Sequence, residues 1–180
     1  MKKILVTGAN GQLGRCIKNA AASFPDLQFV FVSKEELDIE NSDLLLDFFS
    51  KNSFTHCINT AAYTNVENAE SEPKKAFAIN AEAVKNLATV CKENNVALLH
   101  VSTDYVFDGK KKSPYLETDT TNPINVYGAS KLAGEQRITE VLDDHLIFRT
   151  SWLYSEFGHN FFCTILKKAA EKASLNITTT

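Results

Sequence analysis

The chain has 180 residues, of which 44% are hydrophobic and 23% are charged, and its formal net charge is −3. This composition is typical of a protein with one globular core, and the small negative charge argues against a nucleic-acid-binding surface. The sequence contains no apolar run long enough to span a membrane. The start of the chain lacks the pattern of a cleavable leader, which predicts a cytoplasmic protein. The four cysteines are widely scattered, which predicts free thiols and no metal site: Cys16, Cys57, Cys91 and Cys163.

A glycine-rich turn follows the first predicted strand. Ile4–Val6 is a short apolar run typical of a buried strand, and Arg15–Ser23 has the pattern of a helix. Gly8 permits a tight turn, Gly11 lets a diphosphate approach the helix N-terminus, and Gly14 allows close packing of helix on strand. The context favours dinucleotide binding over an ordinary glycine-rich turn.

The second predicted strand, 28–32, ends in residues that bear on the choice of dinucleotide. Ser33 and Lys34 suit a 2′-phosphate better than a carboxylate would, which favours NADP(H). Glu35 and Glu36 follow directly and are able to bind the ribose hydroxyls of NAD(H), so both cofactors stay open.

Further strands and helices alternate along the chain. The pattern predicts helices at about 42–49, 73–90, 127–142 and 157–172 and strands at about 54–61, 97–101, 146–149 and 175–180. Alternation of this kind predicts an α/β fold: a Rossmann-like, doubly wound parallel sheet with helices on both faces. We expect a dinucleotide-binding domain over 1–165 and the start of a substrate-binding part over 166–180.

Tyr127 and Lys131 are four residues apart on the helix predicted after residue 123, so their side chains share one face. An ammonium near a phenol lowers its pKa and makes it a usable proton donor, although many such pairs lie on solvated surfaces. Thr103 follows the strand 97–101, at the sheet edge where this kind of fold binds ligands. His100 is interpreted as an internal strand residue rather than as a catalyst.

The chain resembles the extended short-chain dehydrogenase/reductase superfamily and, within it, the dTDP-4-dehydrorhamnose reductase family. The resemblance covers nearly all of the chain and rests on six segments: 7–14 (TGANGQLG), 59–64 (NTAAYT), 69–73 (AESEP), 102–109 (STDYVFDG), 123–135 (PINVYGASKLAGE) and 148–154 (FRTSWLY).

The resemblance implies reduction of the C4 keto group of dTDP-4-dehydro-6-deoxy-L-mannose by NAD(P)H, in the synthesis of dTDP-rhamnose for polysaccharide. Tyr127 would donate a proton to the keto oxygen, Thr103 would hydrogen-bond the same oxygen, and Lys131 would hold the nicotinamide ribose. Asp104 and Trp152 would contact the sugar. The residues implied for the diphosphate, the adenine and the nicotinamide ribose, in that order, are Gly11, Gln12 and Leu13; Asp38 and Ile39; and Ala62, Tyr63 and Thr64.

Several alternatives remain. The position of Asp38 is equally consistent with a residue that stabilises a turn and does not contact the adenine. Another extended family enzyme, an epimerase or a dehydratase, fits the same motifs, as does a regulatory subunit like methionine adenosyltransferase beta. Members of the family continue into a C-terminal part that binds the sugar nucleotide and sometimes form homodimers. We therefore expect this chain to bind the dinucleotide but to turn over the sugar nucleotide poorly, and to expose apolar surface.

Overall fold

The computed structural model describes residues 1–158 and 160–171, and its centre is a five-stranded parallel sheet in the order β2-β1-β3-β4-β5. This confirms the predicted fold class. The strands, short and mostly β-branched or apolar as buried parallel strands are, span Lys2–Thr7 (β1), Leu27–Val32 (β2), His56–Asn59 (β3), Ala97–Thr103 (β4) and His145–Thr150 (β5).

Seven α-helices lie in the described part of the chain: Gln12–Ala20 (α1), Ser42–Ser50 (α2), Val66–Ser71 (α3), Pro73–Phe77 (α4), Ala83–Glu93 (α5), Val126–Val141 (α6) and Phe161–Ala170 (α7). Four of them begin after an asparagine whose side chain accepts a hydrogen bond from a first-turn N–H, the capping geometry this residue favours: Asn41, Asn65, Asn125 and Asn160. The strand predicted at 175–180 lies outside the described residues.

The element boundaries differ from the predicted ones in several places; the strand predicted at 54–61 spans only His56–Asn59, and the helix predicted at 157–172 begins at Phe161. Helix α1 begins at Gln12 rather than at Arg15, because Gly11 already serves as its N-cap. Helix α3 was not predicted, since its polar sequence lacks apolar periodicity. The long helix predicted from Pro73 is interrupted by a π-helical turn, Ala78–Glu82, between α4 and α5.

The strand order reverses direction at β1, which pairs with β2 on one side and with β3 on the other. Helices α2, α5 and α6 pack together over one face of the sheet. The β1–α1–β2 connection runs in the opposite direction along the sheet, so its right-handed crossover places α1 on the other face. In open sheets of this type, ligands bind at the carboxyl ends of the strands beside such a reversal.

The core lies between the sheet and the α2–α5–α6 face. Leu5, Cys57 and Leu98 from three neighbouring strands are fully buried and join one apolar cluster with Leu87 of α5 and Ile138 of α6. Within residues 1–158 and 160–171, the helices are all too short or too polar to cross a membrane.

Candidate active site

The turn after β1 depends on two glycines. Gly8 adopts φ +68°, and a Cβ at this position would lie 2.6 Å from the backbone nitrogen of Ala61. A Cβ at Gly14 would lie 2.5 Å from the carbonyl oxygen of Gly8. Such distances leave no room for a side chain, so the turn, helix α1 and the segment after β3 pack backbone against backbone.

Helix α1 begins at this turn and offers an anion-binding end. Gly11 is its N-cap, and Gln12 and Leu13 form its first turn, which contains no acidic side chain. The first N–H groups of a helix lack intrahelical partners and carry the positive end of the helix dipole. The Gln12 side chain donates to the carbonyl oxygen of Leu153 at 2.9 Å, so its amide ties the loop after β5 to the turn.

Two cavities, of about 270 and 670 Å³, adjoin each other across the glycine turn. Both are lined by Gly11 and Thr60, so they form one continuous cleft at the carboxyl ends of β1, β3 and β4. An elongated cleft of this volume, with a helix N-terminus at its middle, has the size and the electrostatics for a dinucleotide.

The smaller cavity contains the residues predicted for the adenosine end. Asp38 and Ile39 both line it, together with Lys34. Asp38 also shows the turn role: its carboxylate accepts from the Glu40 N–H at 3.0 Å. Lys34 Nζ lies 2.7 Å from Glu40 Oε2 and 3.5 Å from Asp38 Oδ2, so this ammonium is paired with carboxylates at the mouth of the cavity.

The segment after β3 was predicted to border the nicotinamide ribose. Ala62 and Thr64 line the larger cavity. The Tyr63 phenol instead donates to Glu72 at 2.7 Å, and Tyr63 lines neither cavity. The Tyr63 backbone is held by Asn80, which accepts from its N–H and donates to its carbonyl oxygen. These two bonds explain why an amide is buried in the π-helical turn.

Thr103, Tyr127 and Lys131 all line the larger cavity, on the β4 and α6 side of the cleft. The Tyr127 ring packs edge-on against Tyr105 with 5.8 Å between centroids. Burial raises the pKa of Tyr127, and a hydrogen bond with Thr103 opposes this in part. The expected lowering of this pKa by Lys131 is absent from this geometry, since the Lys131 amine bonds elsewhere. A phenol is protonated at neutral pH already at its ordinary pKa, so the raised pKa leaves it protonated but makes it a weaker acid in the empty cleft.

Lys131 is only 2% exposed, and its amine is held against strand β4. Its Nζ donates to the Val101 carbonyl oxygen at 2.7 Å and lies 3.2 Å from Nε2 of the fully buried His100. Burial lowers the pKa of Lys131 to about 8, although the Glu135 carboxylate acts in the opposite direction. Burial also holds the pKa of His100 well below its usual range. His100 is thus internal, as the sequence indicated, but it directly contacts a predicted site residue.

An ion pair between a buried carboxylate and a partly buried guanidinium lies behind the site and was not predicted from the sequence. Glu135 lies one turn after Lys131 on α6, accepts from Ser102 Oγ and pairs with Arg149 at 2.7 Å. The pairing keeps the pKa of the Arg149 guanidinium above its usual value. The only signal in the sequence was the i, i+4 spacing from Lys131, which does not reveal a partner on another strand.

The two residues predicted to contact the sugar both line the larger cavity. The Asp104 carboxylate lies 3.2 Å from the Thr103 hydroxyl, which donates to it. Trp152 adopts φ +50°, unusual for a bulky residue, and is 66% exposed, with its ring near Tyr154 and Phe161. The cleft therefore ends in an exposed aromatic wall formed after β5.

Comparison with known proteins places this arrangement in a family. The model of the RmlD substrate binding domain family matches residues 1–179. A dTDP-4-dehydrorhamnose reductase from Aggregatibacter actinomycetemcomitans is 40% identical over 98% of this chain and 60% of its own, and one from Burkholderia thailandensis is 43% identical over 97% and 58%. The crystal structure of a dTDP-4-dehydrorhamnose reductase from Bacillus anthracis in complex with NADP superposes with a TM-score of 0.90, at 37% identity, over 95% of this chain and 61% of that one. The chain thus spans about three fifths of the length of these relatives.

Proposed function

This chain belongs to the RmlD substrate binding domain family, and we propose that it is the dinucleotide-binding part of a dTDP-4-dehydrorhamnose reductase. The reaction is reduction of the C4 keto group of dTDP-4-dehydro-6-deoxy-L-mannose in dTDP-rhamnose synthesis. The observation that carries the proposal is that Thr103, Tyr127 and Lys131 line the same cleft as the glycine turn.

The side chains of the larger cavity suit reduction of a carbonyl. A keto oxygen gains negative charge as hydride reaches its carbon, and hydrogen-bond donors that are already in place stabilise that charge. Tyr127 is the proton donor, because its phenol lines the cavity beside Thr103 and Lys131. Thr103 lines the cavity beside Tyr127 and supplies a second hydroxyl for the same oxygen. Asp104 and Trp152 contact the sugar.

The cofactor fits the cleft through contacts that this chain supplies. When it is bound, the reduced nicotinamide supplies the hydride. Gly8, Gly11 and Gly14 allow the diphosphate to reach the N-terminus of α1, with Gln12 and Leu13 in its first turn. The adenine is held between Asp38 and Ile39. Ala62, Thr64 and Lys131 form the nicotinamide-ribose end, whereas the Tyr63 phenol turns away to Glu72.

NADP(H) is the favoured cofactor. Lys34 carries an exposed ammonium at the mouth of the adenosine cavity, where a 2′-phosphate would lie. The Bacillus anthracis relative was crystallised with NADP. Glu35 and Glu40 line the same cavity, which leaves NAD(H) as a weaker ligand.

The proposal also assigns different functions to two parts of the chain. Residues 1–165 form the dinucleotide-binding domain, and the sugar nucleotide is held mainly by a part that begins at 166–180. Exposed apolar side chains gather near this boundary, which is expected where a further part of a protein packs: Trp152, Leu153, Phe161, Phe162 and Leu166. Helix α7 crosses residue 165, so the boundary falls within a helix.

The decisive experiment follows oxidation of NADPH in the presence of dTDP-4-dehydro-6-deoxy-L-mannose, using the protein at its full natural length. Tyr127→Phe is expected to lower kcat at least about 100-fold, since general acid catalysis contributes 10²–10⁴-fold. Tyr105→Phe, in the neighbouring ring, is the matched control and should retain activity. Equal activity of wild type and Tyr127→Phe would contradict the assigned role. Tight NADPH binding without oxidation would point to another sugar nucleotide.

A further inference from the structure

A buried chain of hydrogen bonds leads from strand β1 to Lys131. Thr7 Oγ1 donates to Asn59 Oδ1 at 2.7 Å, and Asn59 Nδ2 lies 3.0 Å from His100 Nδ1. His100 Nε2 lies 3.2 Å from Lys131 Nζ. Thr7, Asn59 and His100 are fully buried, so these contacts are sealed from solvent on the core side of the cleft.

A backbone N–H group determines which atoms donate and which accept along this chain of hydrogen bonds. The Ala61 N–H can only donate, and it points at Asn59 Oδ1 from 3.1 Å. The oxygen of the Asn59 amide must therefore face Ala61, and its NH₂ group must face His100. An NH₂ group can only donate, so His100 Nδ1 is the acceptor. The neutral imidazole then carries its proton on Nε2, on the side of Lys131.

Lys131 thus meets a donor from His100. A neutral amine accepts from Nε2–H through its lone pair while it donates to the Val101 carbonyl oxygen. An ammonium has no lone pair, so its N–H bonds would oppose Nε2–H at 3.2 Å. The ionisable groups that line the same cavity are Tyr127 on the same helix and Asp104 and Tyr105 after β4, and Glu135 lies one turn further along α6. Glu135 is the one that favours the ammonium, and it is itself engaged by Arg149.

We propose that Asn59 and His100 are positioning residues that favour the neutral amine of Lys131 in the empty cleft, so that dinucleotide binding is coupled to proton uptake at Lys131 Nζ. Ribose hydroxyls offer lone pairs that draw the amine away from Nε2–H, and Lys131 then takes a proton from solution. The coupling to the dinucleotide rests on the proposed function, whereas the state of the empty cleft does not. Burial already lowers the pKa of Lys131 to about 8, so the exchange occurs near pH 8 and above.

The first test measures the tautomer of His100 by nitrogen NMR on the ligand-free 180-residue chain. The His100 signal is assigned by its loss in His100→Asn. The expected result is a neutral ring that is protonated on Nε2. The measurement is made above pH 8, where Lys131 is mostly a neutral amine. A ring protonated on Nδ1, or on both nitrogens, at that pH would overturn the proposal.

The second test uses the Asn59→Asp variant to reverse the donor-to-acceptor direction of the hydrogen-bond chain. A carboxylate only accepts, so it suits the Thr7 and Ala61 donors and draws the His100 proton to Nδ1. His100 Nε2 then accepts from the Lys131 ammonium, and the pKa of Lys131 should rise by about one unit or more, read from its ε-methylene NMR signal. Asn65→Asp is the matched control, because Asp caps helix α3 as well as Asn does. Equal Lys131 titration in Asn59→Asp and wild type would contradict the proposal.

The third test counts protons by calorimetry of NADPH binding in buffers of different ionisation enthalpy. Near pH 8, wild type should take up on the order of half a proton per dinucleotide at Lys131, and Asn59→Asp should take up clearly less. Binding without this difference would overturn the coupling. A chain that binds neither NADPH nor NADH would contradict the proposed function, while the NMR titrations would still decide the state of Lys131.

Discussion

The two ends of the cleft are built by different means. At the β1–α1 turn the contacts are made by backbone: Gly8 and Gly14 bring three chain segments together, and the end of α1 supplies N–H groups. On the β4–α6 side they are made by ionisable side chains, with Lys131 and Glu135 both almost fully buried. The first end is therefore sensitive to shape, whereas the second is sensitive to pH and to the loss of a partner.

The largest effect is expected from Gly8→Ala, which attacks the backbone-built end. Alanine would be forced to φ +68° with its Cβ 2.6 Å from Ala61 N, so strain and overpacking together should cost about 3 kcal/mol of unfolding free energy. Gly109→Ala is the matched control, because Gly109 has φ +72° but no atom of the described residues lies within 4 Å of its Cβ position.

Urea unfolding of both glycine variants measures the difference. Gly109→Ala should lose only about 1 kcal/mol, the cost of the left-handed backbone alone. If both variants lost the same free energy, close packing at the turn would not be what constrains Gly8. NADPH binding should weaken in Gly8→Ala and stay unchanged in Gly109→Ala.

A pH series tests the side-chain-built end through Lys131. The pKa of Lys131 is about 8 in the folded chain and about 10.4 in an unfolded one. Between these values the unfolded chain binds more protons, so the contribution of Lys131 to stability rises with pH, by about 3 kcal/mol across the window. Below pH 8 both states are protonated and the burial cost is fully present.

The Lys131→Met variant isolates the contribution of the Lys131 charge to stability, because methionine buries no charge. Its stability relative to wild type should be greatest near neutral pH and should decline as the pH rises from about 8 to about 10.5. Lys85→Met on an exposed position of α5 is the control, and it should give a difference that stays constant. A constant difference for Lys131→Met as well would contradict the lowered pKa.

Glu135→Gln is expected to have a smaller effect on the same end of the cleft. It keeps the volume but removes the charge that pairs with Arg149, for a loss of about 2 kcal/mol of unfolding free energy. Glu140→Gln is the control, because its pair with Arg137 is exposed and should be worth under about 0.5 kcal/mol. Equal losses of unfolding free energy in the two variants would show that burial adds nothing to the pair between Glu135 and Arg149.

The same contrast explains what the sequence could predict. The role of Gly8 follows from local requirements, since a strand, a glycine turn and a helix appear in the sequence as neighbours. The fold class follows from the alternation of elements, which the parallel sheet confirms. The contact between Glu135 and Arg149, and that between His100 and Lys131, join residues 14 and 31 positions apart. No local pattern reveals such partners, because the sheet register and the packing of α6 bring them together.

Lys34→Ala should have the smallest effect, and it sharpens the comparison at the outer edge of the backbone-built end. Lys34 is exposed and paired with Glu40, so its loss should change the unfolding free energy by less than about 0.5 kcal/mol. If its ammonium meets a 2′-phosphate, the ratio of NADPH to NADH affinity should fall about tenfold, or about 1.4 kcal/mol. Lys51→Ala removes an equally exposed ammonium that pairs with Asp47, outside the cleft, and should leave the ratio unchanged. If the affinity ratio were the same in both variants, other groups of the adenosine cavity would determine the choice of cofactor. The Lys34 side chain would then contribute nothing to cofactor binding at the end of the cleft that is built by backbone.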